Sequence, residues 1–350
     1  SILDAKQGST DLEDRFQFAA DAFNITSHYD TAIYRWFAGD DITAFKHSIL
    51  SSQTLRYGEN PHQAGAFHGD LNAMFDKLNG KELSYNNLLD VDAAVSLIDE
   101  FTGTTTYAIL KHNNACGIAT APTGKEAYMR ALSSDPISAF GGVIISTVKV
   151  DKATAEELHK LFFEVLIAPE YDQDALTLLK EKKNRILLLR KPVTFAKKQF
   201  KTLLNGVIEQ DADTKTETEA DFRTVTNRTP TEAEKKAMLF ANKLVKHTKS
   251  NAIIFATENQ MISSGVGQTS RVDALKQAIE KAKAFGFSLE GSVMASDAFF
   301  PFPDCVEIAN LAGIKAVIQP GGSVKDQESI NYCNEHNMTM VCTGFRHFKH

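Results

Sequence analysis

YAILKHNNACG, residues 107–117, joins a short apolar run to a polar loop. The four residues from Tyr107 to Leu110 are typical of a strand buried in the core of a sheet. From about residue 51 onward, similar apolar runs alternate with polar stretches of helical periodicity. This alternation predicts an α/β fold.

The same alternation occurs twice along the chain. In the first pass the sequence predicts strands at 107–110, 142–145, 165–167 and 185–189, with helices near 124–132, 152–163 and 172–182. In the second pass it predicts strands at 252–255, 292–294, 316–318 and 338–341, with helices near 271–285, 304–312 and 324–336. Similar strand-Pro-turn segments, Ile167-Ala-Pro169 and Ile318-Gln-Pro320, suggest an internal duplication.

We divide the chain into three parts on this pattern. Residues 1–50 are predicted to form a helical N-terminal segment, because apolar residues such as Leu12, Phe16 and Phe23 recur near helical spacing. Residues 51–195 form the first α/β half and residues 196–350 the second. Residues 191–236 are rich in Lys, Glu, Asp and Thr, which is typical of a solvated connecting segment.

The composition limits the classes of function. The chain has 43% hydrophobic and 23% charged residues with a formal net charge of -6, which argues against a protein that coats nucleic acid or an anionic membrane. No apolar run approaches the ~20 residues needed to span a bilayer. The four cysteines form no C-x-x-C pair and are predicted to be reduced thiols. We expect a cytoplasmic protein.

Lys111 and His112 are the strongest catalytic candidates from the residues alone. A strand that ends in Lys and His would place an acid–base pair at the usual ligand-binding edge of an α/β sheet, where the parallel strands end. Both side chains can line one pocket only if the chain bends there, and Asn114 and Gly117 could allow that bend. The alternative is a surface Lys beside a hydrogen-bonded His.

Other segments combine Gly, hydroxyl and charged residues. Arg56 and Tyr57 precede a Gly-x-Asn-Pro turn and could hold a phosphate or carboxylate. Gly141 and Gly142 would let a ligand approach backbone amides, and residues 265–271 could cradle an anion at a helix N-terminus. Aromatic residues at 299–302 fit either core packing or stacking on a heterocycle. Turns, packing and a frayed basic terminus at 343–350 are the alternatives.

Ten of these segments occur in an order that resembles one known family. They are LRYGENPHQ (55–63), SYNNLLD (84–90), ILKHNNACG (109–117), SDPISAFGG (134–142), IAPEY (167–171), KSNAI (249–253), GQTSR (267–271), SDAFFPF (296–302), QPGGS (319–323) and TGFRHF (343–348). Together they resemble the aminoimidazole carboxamide ribonucleotide (AICAR) transformylase domain of the bifunctional purine-synthesis enzymes. The resemblance covers essentially all 350 residues.

The resemblance implies a fold and an activity. The fold would consist of two cytidine-deaminase-like α/β halves with mixed sheets, preceded by a short helical segment. The enzyme would transfer the formyl group of 10-formyltetrahydrofolate, its co-substrate, to the 5-amino group of AICAR, giving formyl-AICAR and tetrahydrofolate. It would act as a homodimer with sites at the interface, with a monovalent cation possible and no zinc. The cyclohydrolase domain of the bifunctional members, and hence its activity, would be absent from this chain.

The resemblance also assigns residues. His112 would accept the proton and Lys111 would stabilise the transition state. Nucleotide contacts would come from Arg56, Tyr57, Asn87, Gly141, Glu164, Asn251, Arg271, Phe299 and Arg346. Folate contacts would come from Phe140, Val272, Phe302, Asp304, Ser323 and Val324. One departure concerns the bend after His112, because Ala115 stands where the family often has Pro.

Two other functions remain open from the sequence. A non-catalytic nucleotide-binding module would bind the nucleotide without turnover. A zinc-dependent deaminase-like hydrolase would need the H-x-E and P-C-x-x-C ligand motif, which the sequence lacks.

Overall fold

The computed structural model describes residues 2–39 and 43–350, which fall into two units. The first unit comprises residues 2–39, 43–73 and 194–212. The second comprises residues 74–193 and 213–350. Helices and strands are numbered below along the chain.

The first unit is built around one long helix. A short helix α1 (Ile2–Ala5) precedes α2 (Leu12–Ala38). Asp11 caps α2, because its side chain accepts the N–H of Asp14 at 2.9 Å. The side chain of Asp14 accepts the N–H of Asp11 at 3.0 Å, which completes a capping box. Residues 43–50 are not helical, and residues 40–42 of the predicted helical segment lie outside the described residues. Along α2, several large apolar side chains are exposed, among them Phe16, Phe23, Trp36 and Phe37.

Two antiparallel strand pairs complete this unit. β1 (Ser52–Thr54) pairs with β2 (Ala66–His68), and a single 3-10 turn follows at Leu71–Ala73. β9 (Lys198–Leu203) pairs with β10 (Gly206–Asp211). Every residue of β9 and β10 is exposed. The prediction that residues 191–236 form a connecting segment is therefore wrong for β9 and β10, which are paired strands. Their exposure to solvent is as the composition of the segment predicted.

The second unit contains two six-stranded mixed sheets. The first sheet has the order β3-β8-β7-β6-β4-β5 and the second has the order β11-β16-β15-β14-β12-β13. The first is formed by β3 (Phe75–Asn79), β4 (Thr106–Lys111), β5 (Asn114–Thr120), β6 (Val143–Ser146), β7 (Val165–Ala168) and β8 (Ile186–Arg190). The second is formed by β11 (Arg223–Thr224), β12 (Ile253–Ala256), β13 (Met261–Gly265), β14 (Val293–Ser296), β15 (Ala316–Gln319) and β16 (Thr339–Cys342).

The two sheets share one topology. In each, three central strands are parallel and the remaining strands pair antiparallel to their neighbours. Position by position, β3 corresponds to β11, β4 to β12 and β5 to β13. This correspondence agrees with the internal duplication suggested by the sequence, and the α/β fold with two mixed-sheet halves is confirmed.

Helices cover the two sheets. They are α3 (Tyr85–Ile98), α4 (Gly124–Ser134), α5 (Lys152–Leu158), α6 (Gln173–Lys180), α7 (Glu232–Lys246), α8 (Arg271–Ala284), α9 (Asp304–Leu311) and α10 (Asp326–Glu335). All eight strands predicted from the sequence are present within one or two residues. The predicted helix at 152–163 already ends at Leu158, and α7 lies partly inside the predicted connecting segment. α7 is a packed helix, because Met238, Phe240 and Leu244 are buried.

The core lies against each sheet separately. Every residue of β6, β7, β14 and β15 is buried, as is typical of central parallel strands covered by helices. At the shared edge, the N–H of Thr120 donates to the oxygen of Asn259 at 2.8 Å, and Ala119 bridges to Gln260. The two sheets therefore meet where the last residues of β5 contact the turn between β12 and β13.

Candidate active site

Lys111 and His112 lie at the tip of the β4–β5 hairpin. Lys111 pairs with Asn114, so His112 and Asn113 alone form the turn. Their φ angles, 51° and 66°, are left-handed, as a two-residue type I′ turn requires. Asn114 supports the turn, because its side-chain amide donates to the oxygen of His112 at 2.8 Å. Gly117 plays no part in the bend, since it lies within β5.

The direction of β4 corrects one expectation from the sequence. β4 is antiparallel to β6, and Leu110 pairs with Val143 at the start of β6. Lys111 and His112 therefore lie at the amino ends of the parallel strands, not at the carboxyl ends. The sequence could not reveal this, because an isolated apolar run does not show the direction in which its strand pairs.

The ammonium of Lys111 faces the loop before β6. Its Nζ donates to the oxygen of Phe140 at 2.5 Å. Gly141 lies beside it in a left-handed conformation with φ 71°, and its N–H donates to the oxygen of Phe162 at 2.8 Å. Among residues 2–39 and 43–350, no carboxylate forms an ion pair with Lys111. The loop therefore holds a cation without neutralising it.

Helix α3 contacts the turn through the side chain of Asp90. The carboxylate of Asp90 accepts the N–H of Asn113 at 2.7 Å. Burial raises the pKa of Asp90, although this hydrogen bond and the charges of His112 and Lys111 act in the opposite direction. Asn87, one turn earlier, is buried and forms a capping box with Ser84 at the start of α3. Asp90 was missed from the sequence, although it ends the SYNNLLD motif from which Asn87 was taken.

Glu164 lies next to the same loop. Its N–H donates to the oxygen of Gly142 at 3.0 Å, and its carboxylate pairs with Lys81 at 2.6 Å. Phe140 is 58% exposed, with its ring 5.1 Å from that of Phe162. The first half thus brings Lys111, His112, Phe140 and Gly141 together, and Glu164 borders them.

The second half forms a separate cluster around Arg271. This side chain is buried at the start of α8, where it forms an ion pair with Asp297 and donates to the Asn251 oxygen at 2.7 Å. The amide of Asn251 donates in turn to the oxygen of Gln268 at 2.9 Å. Asp297 was also missed, although its motif was recognised. In this structure the charge of Arg271 is balanced within the protein.

The C-terminal tail is anchored by a buried histidine. The ring of His347 lies between Asp213 at 2.6 Å and Glu217 at 2.7 Å. Burial acts to lower the pKa of His347, but the hydrogen bonds and charges of the two carboxylates outweigh it and raise the pKa to about 9. Arg346, next to it, is exposed, with its guanidinium 4.4 Å from the centre of the Phe348 ring. The tail is therefore fixed and not frayed.

The predicted folate-side residues fall mainly into two neighbouring loops of the second half. Phe302 follows β14 and is exposed, as is the predicted nucleotide contact Phe299, and Asp304 begins α9. Ser323 and Val324 follow β15, and the ammonium of Lys325 lies 4.9 Å from the centre of the Phe302 ring. Because β14 and β15 are parallel, both loops lie at the carboxyl ends of these strands. Val272 lies at the start of α8.

Arg56 and Tyr57 belong to the first unit. They follow β1, and the Arg56 guanidinium lies 5.6 Å from the centre of the Tyr57 ring. The turn after them is closed by the N–H of Gly58, which donates to the oxygen of Gln63 at 2.6 Å. Both side chains are therefore presented by a tight turn, as the motif predicted.

The described part of the chain has neither a metal-binding cluster nor a membrane-spanning helix. Within residues 2–39 and 43–350, no group of three or more His, Cys, Asp or Glu residues is arranged to hold a metal ion. In the same residues, no helix is long and apolar enough to cross a bilayer.

The sequence is similar to that of one family of known proteins. A sequence model of the AICARFT/IMPCHase bienzyme family matches residues 1–281. The bifunctional purine biosynthesis protein PurH of Bacteroides thetaiotaomicron is 62% identical over 342 residues, which cover 98% of this chain and 67% of that protein. PurH of Aquifex aeolicus is 47% identical over 357 residues, with coverages of 99% and 70%.

This chain belongs to the AICARFT/IMPCHase bienzyme family. The resemblance carried by the ten motifs is thereby confirmed, and the chain is a member of an enzyme family. PurH of Lactobacillus delbrueckii is 46% identical over 364 residues, which cover 99% of this chain and 69% of that protein. The roles of individual residues within the family site remain predictions.

Proposed function

We propose that this chain transfers the formyl group of 10-formyltetrahydrofolate to the 5-amino group of AICAR. The observation that carries the proposal is the placement of Lys111 and His112 on a two-residue turn beside the Phe140–Gly141 loop, in a chain of this family. The products are formyl-AICAR and tetrahydrofolate, a step in the synthesis of the purine nucleotide IMP.

His112 acts as the general base. The amine of AICAR is a weak nucleophile, because its lone pair is delocalised into the ring and towards the carboxamide. As its nitrogen bonds to the formyl carbon, His112 takes an amine proton. The exposed position of His112 supports this role, since a ligand can approach its ring. The bond from the formyl carbon to the folate nitrogen then breaks, and that nitrogen is protonated.

Lys111 stabilises the charge that develops on the formyl oxygen. An ammonium is effective there when it is held in place and not already neutralised. The hydrogen bond to the Phe140 oxygen supplies the position, and a main-chain carbonyl leaves the net charge of Lys111 intact. Lys111 can also help to protonate the departing nitrogen, because an ammonium is a proton donor.

Binding of the two anionic ligands is assigned to the remaining candidates. Arg346 is exposed and suits a phosphate or carboxamide contact, whereas Arg271 must share its guanidinium with Asp297. Asn251 is held by Arg271 and would present its amide to the nucleotide. The exposed rings of Phe140 and Phe302 suit the flat rings of the folate.

We also propose that the chain acts as a cytoplasmic homodimer with sites at the interface. The exposed aromatic residues of α2 support self-association, because Trp36 and Phe37 are each more than three-quarters exposed. Zinc is not expected to take part.

The direct test is to mix the purified chain with AICAR and 10-formyltetrahydrofolate and follow tetrahydrofolate by absorbance. We expect catalytic turnover that requires both ligands. Nucleotide binding without any tetrahydrofolate would favour the non-catalytic binding module instead.

A further inference from the structure

One side chain connects the Lys111–His112 turn to the second half of the chain. The amide of Asn114 donates to the oxygen of His112 at 2.8 Å, and its side-chain oxygen accepts the N–H of Lys249 at 3.0 Å. Lys249 lies between α7 and β12, 135 residues further along the chain. Asparagine can make both bonds because its side chain carries a donor and an acceptor. The tip of the β4–β5 hairpin is thus tied to a segment of the second half.

The conformation of the turn depends on such support. His112 and Asn113 both have positive φ angles, and neither is a glycine. This conformation is uncommon for residues other than glycine and persists where neighbouring groups hold it in place. Asp90 of α3 holds the main chain of Asn113, and Asn114 holds that of His112. The position from which the His112 ring is presented therefore depends directly on Asn114.

The segment that contacts Asn114 is itself fixed on other sides. The oxygen of Lys249 accepts the N–H of Gly267 at 2.9 Å, and the N–H of Ser250 donates to the oxygen of Lys349 at 3.0 Å. Main-chain hydrogen bonds on both sides leave little freedom for this segment to adjust on its own. A displacement at Lys249 is therefore passed on to Asn251, two residues later.

Asn251 connects the same segment to the cluster around Arg271. Its side-chain oxygen accepts a hydrogen bond from Arg271 at 2.7 Å, and its amide donates to the oxygen of Gln268 at 2.9 Å. Arg271 in turn forms an ion pair with Asp297. The Lys111–His112 turn and the Arg271 cluster are consequently the two ends of one continuous path of hydrogen bonds and main chain.

We propose that Asn114 is a positioning residue that couples the Lys111–His112 turn to Asn251, so that the proton-accepting and nucleotide-binding groups hold their places together. The roles of His112 and Asn251 rest on the proposed function. Asn114 acts through these two residues and needs no contact with either ligand. If each site takes its first half from one subunit and its second half from the other, the same contact links the two sites of the dimer.

The first arm of the test needs no ligand. In protein with isotope-labelled histidine, the Cε1 magnetic resonance signal of His112 reports the surroundings of its ring, and the signal is assigned by its absence in His112→Ala. Asn114→Ala should shift this signal. Asn251→Ala should shift it in the wild-type background and much less when Asn114 is already alanine, because the path is then interrupted.

Gln260→Ala is the matched control for a contact between the halves. Gln260 bridges them at the opposite end of β5, where it pairs with Ala119 and its side chain makes two hydrogen bonds to α4. Asn114→Ala and Gln260→Ala each remove two hydrogen bonds and should lower the thermal midpoint by similar amounts. Only Asn114→Ala should move the signal of His112.

The second arm uses AICAR and 10-formyltetrahydrofolate. Asn114→Ala should lower the single-turnover rate of formyl transfer about tenfold and raise the dissociation constant for AICAR about threefold. In the Asn251→Ala background its effect on AICAR affinity should vanish, while its effect on the rate remains. Asn114→Asp keeps the acceptor for Lys249 and loses the donor to His112. It should therefore retain AICAR affinity and still lose rate.

Two results would overturn the inference. One is a His112 signal that is unchanged in Asn114→Ala, or that Asn251→Ala shifts equally in both backgrounds. The other is a set of effects on rate and affinity no larger than those of Gln260→Ala, which would give Asn114 a purely structural role. Absence of tetrahydrofolate with the wild-type chain would instead count against the proposed function, and the ligand-free signal of His112 would still decide about the coupling.

Discussion

Lys111 combines a fixed position with an uncompensated charge. Its hydrogen bond to the Phe140 oxygen orients the ammonium, and the left-handed Gly141 lets the loop pass close by. A Cβ added at Gly141 would lie 3.7 Å from the Lys111 Nζ, an ordinary contact, so the glycine is required by its φ of 71° and not by lack of space. The loop and the lysine therefore form one pre-organised group.

The variant Lys111→Met keeps the length of the side chain and removes its charge. We expect kcat to fall about 100-fold, which corresponds to about 3 kcal/mol of transition-state stabilisation, with little change in nucleotide affinity. Steady-state assays and nucleotide titration measure the two quantities. Lys152→Met is the control and should behave as wild type. A loss of affinity with unchanged kcat would make Lys111 a binding residue.

At the residue scale the sequence predicted which candidate side chains lie close together in the first half better than it predicted their hydrogen-bond partners. Lys111, His112 and Gly141 were found because they stand in polar loops after or before apolar strands. Asp90 and Asp297 were missed because their partners, Asn113 and Arg271, are distant in sequence. The position of the pair at the amino ends of β6–β8 was missed because it depends on how β4 pairs.

At the scale of strands and helices, two glycines set the distance between β-hairpin and helix. A Cβ at Gly117 of β5 would overlap the main-chain oxygen of Ala131 in α4. A Cβ at Gly265 of β13 would overlap the oxygen of Ala274 in α8 in the same way. The two halves thus share a close strand–helix contact as well as their strand order.

The substitution Gly117→Ala should lower the free energy of unfolding by about 1–3 kcal/mol, because α4 must move away from β5. Urea unfolding followed by circular dichroism measures this. The control is Gly206→Ala, where the added methyl group meets nothing within 4 Å. Equal stability of the two variants would show that the helix can shift without cost.

The C-terminal tail has a stability that depends on pH. The pKa of His347 is raised from 6.5 to about 9. The ion-paired imidazolium therefore stabilises the folded state fully below pH 6.5, and this contribution is lost as the pH rises through about 9. Its size is about 3 kcal/mol, since one pKa unit corresponds to about 1.4 kcal/mol.

Thermal unfolding of wild type and His347→Gln between pH 6 and pH 10 tests this. We expect the wild type to be the more stable below pH 6.5 and the difference to narrow towards pH 10. His62→Gln, which replaces an exposed histidine, should show no such trend. A difference that stays constant across the range would assign His347 a packing role without a charge.

The strands and helices were predicted as far as their periodicity was distinct. Fully buried strands such as β6 and β14 stood out as apolar runs. All four edge strands were missed. β3 and β11 are partly exposed and resemble loops, whereas β5 and β13 are mostly buried but contain small residues such as Gly117 and Ser263 that interrupt the apolar run. Helix α7 was missed because its polar face, rich in Glu and Lys, made the segment resemble a solvated connection, although its other face is buried.

At the scale of the whole molecule, the candidate residues divide between the two halves. Lys111 and His112 belong to the first half, while Arg271 and Arg346 belong to the second. If each site joins the first half of one subunit to the second half of its partner, two inactive variants should complement each other. His112→Ala mixed with Arg346→Ala gives a heterodimer with one site carrying both defects and one intact site.

Random exchange places about half of the dimers in this mixed state, so activity should recover to about a quarter of wild type. Each variant alone should stay near background. Subunit exchange is verified with differently tagged chains before the assay. A mixture that exchanges fully and stays inactive would mean that each site is built within one chain.

The central claim is that His112 is the base in formyl transfer, and His112→Ala tests it most directly. Single-turnover rates with saturating AICAR and 10-formyltetrahydrofolate separate the chemical step from binding and release. We expect the rate to fall by about 10²–10⁴, with the dissociation constant for AICAR nearly unchanged. A variant that binds AICAR normally and transfers the formyl group at the wild-type rate would contradict the account.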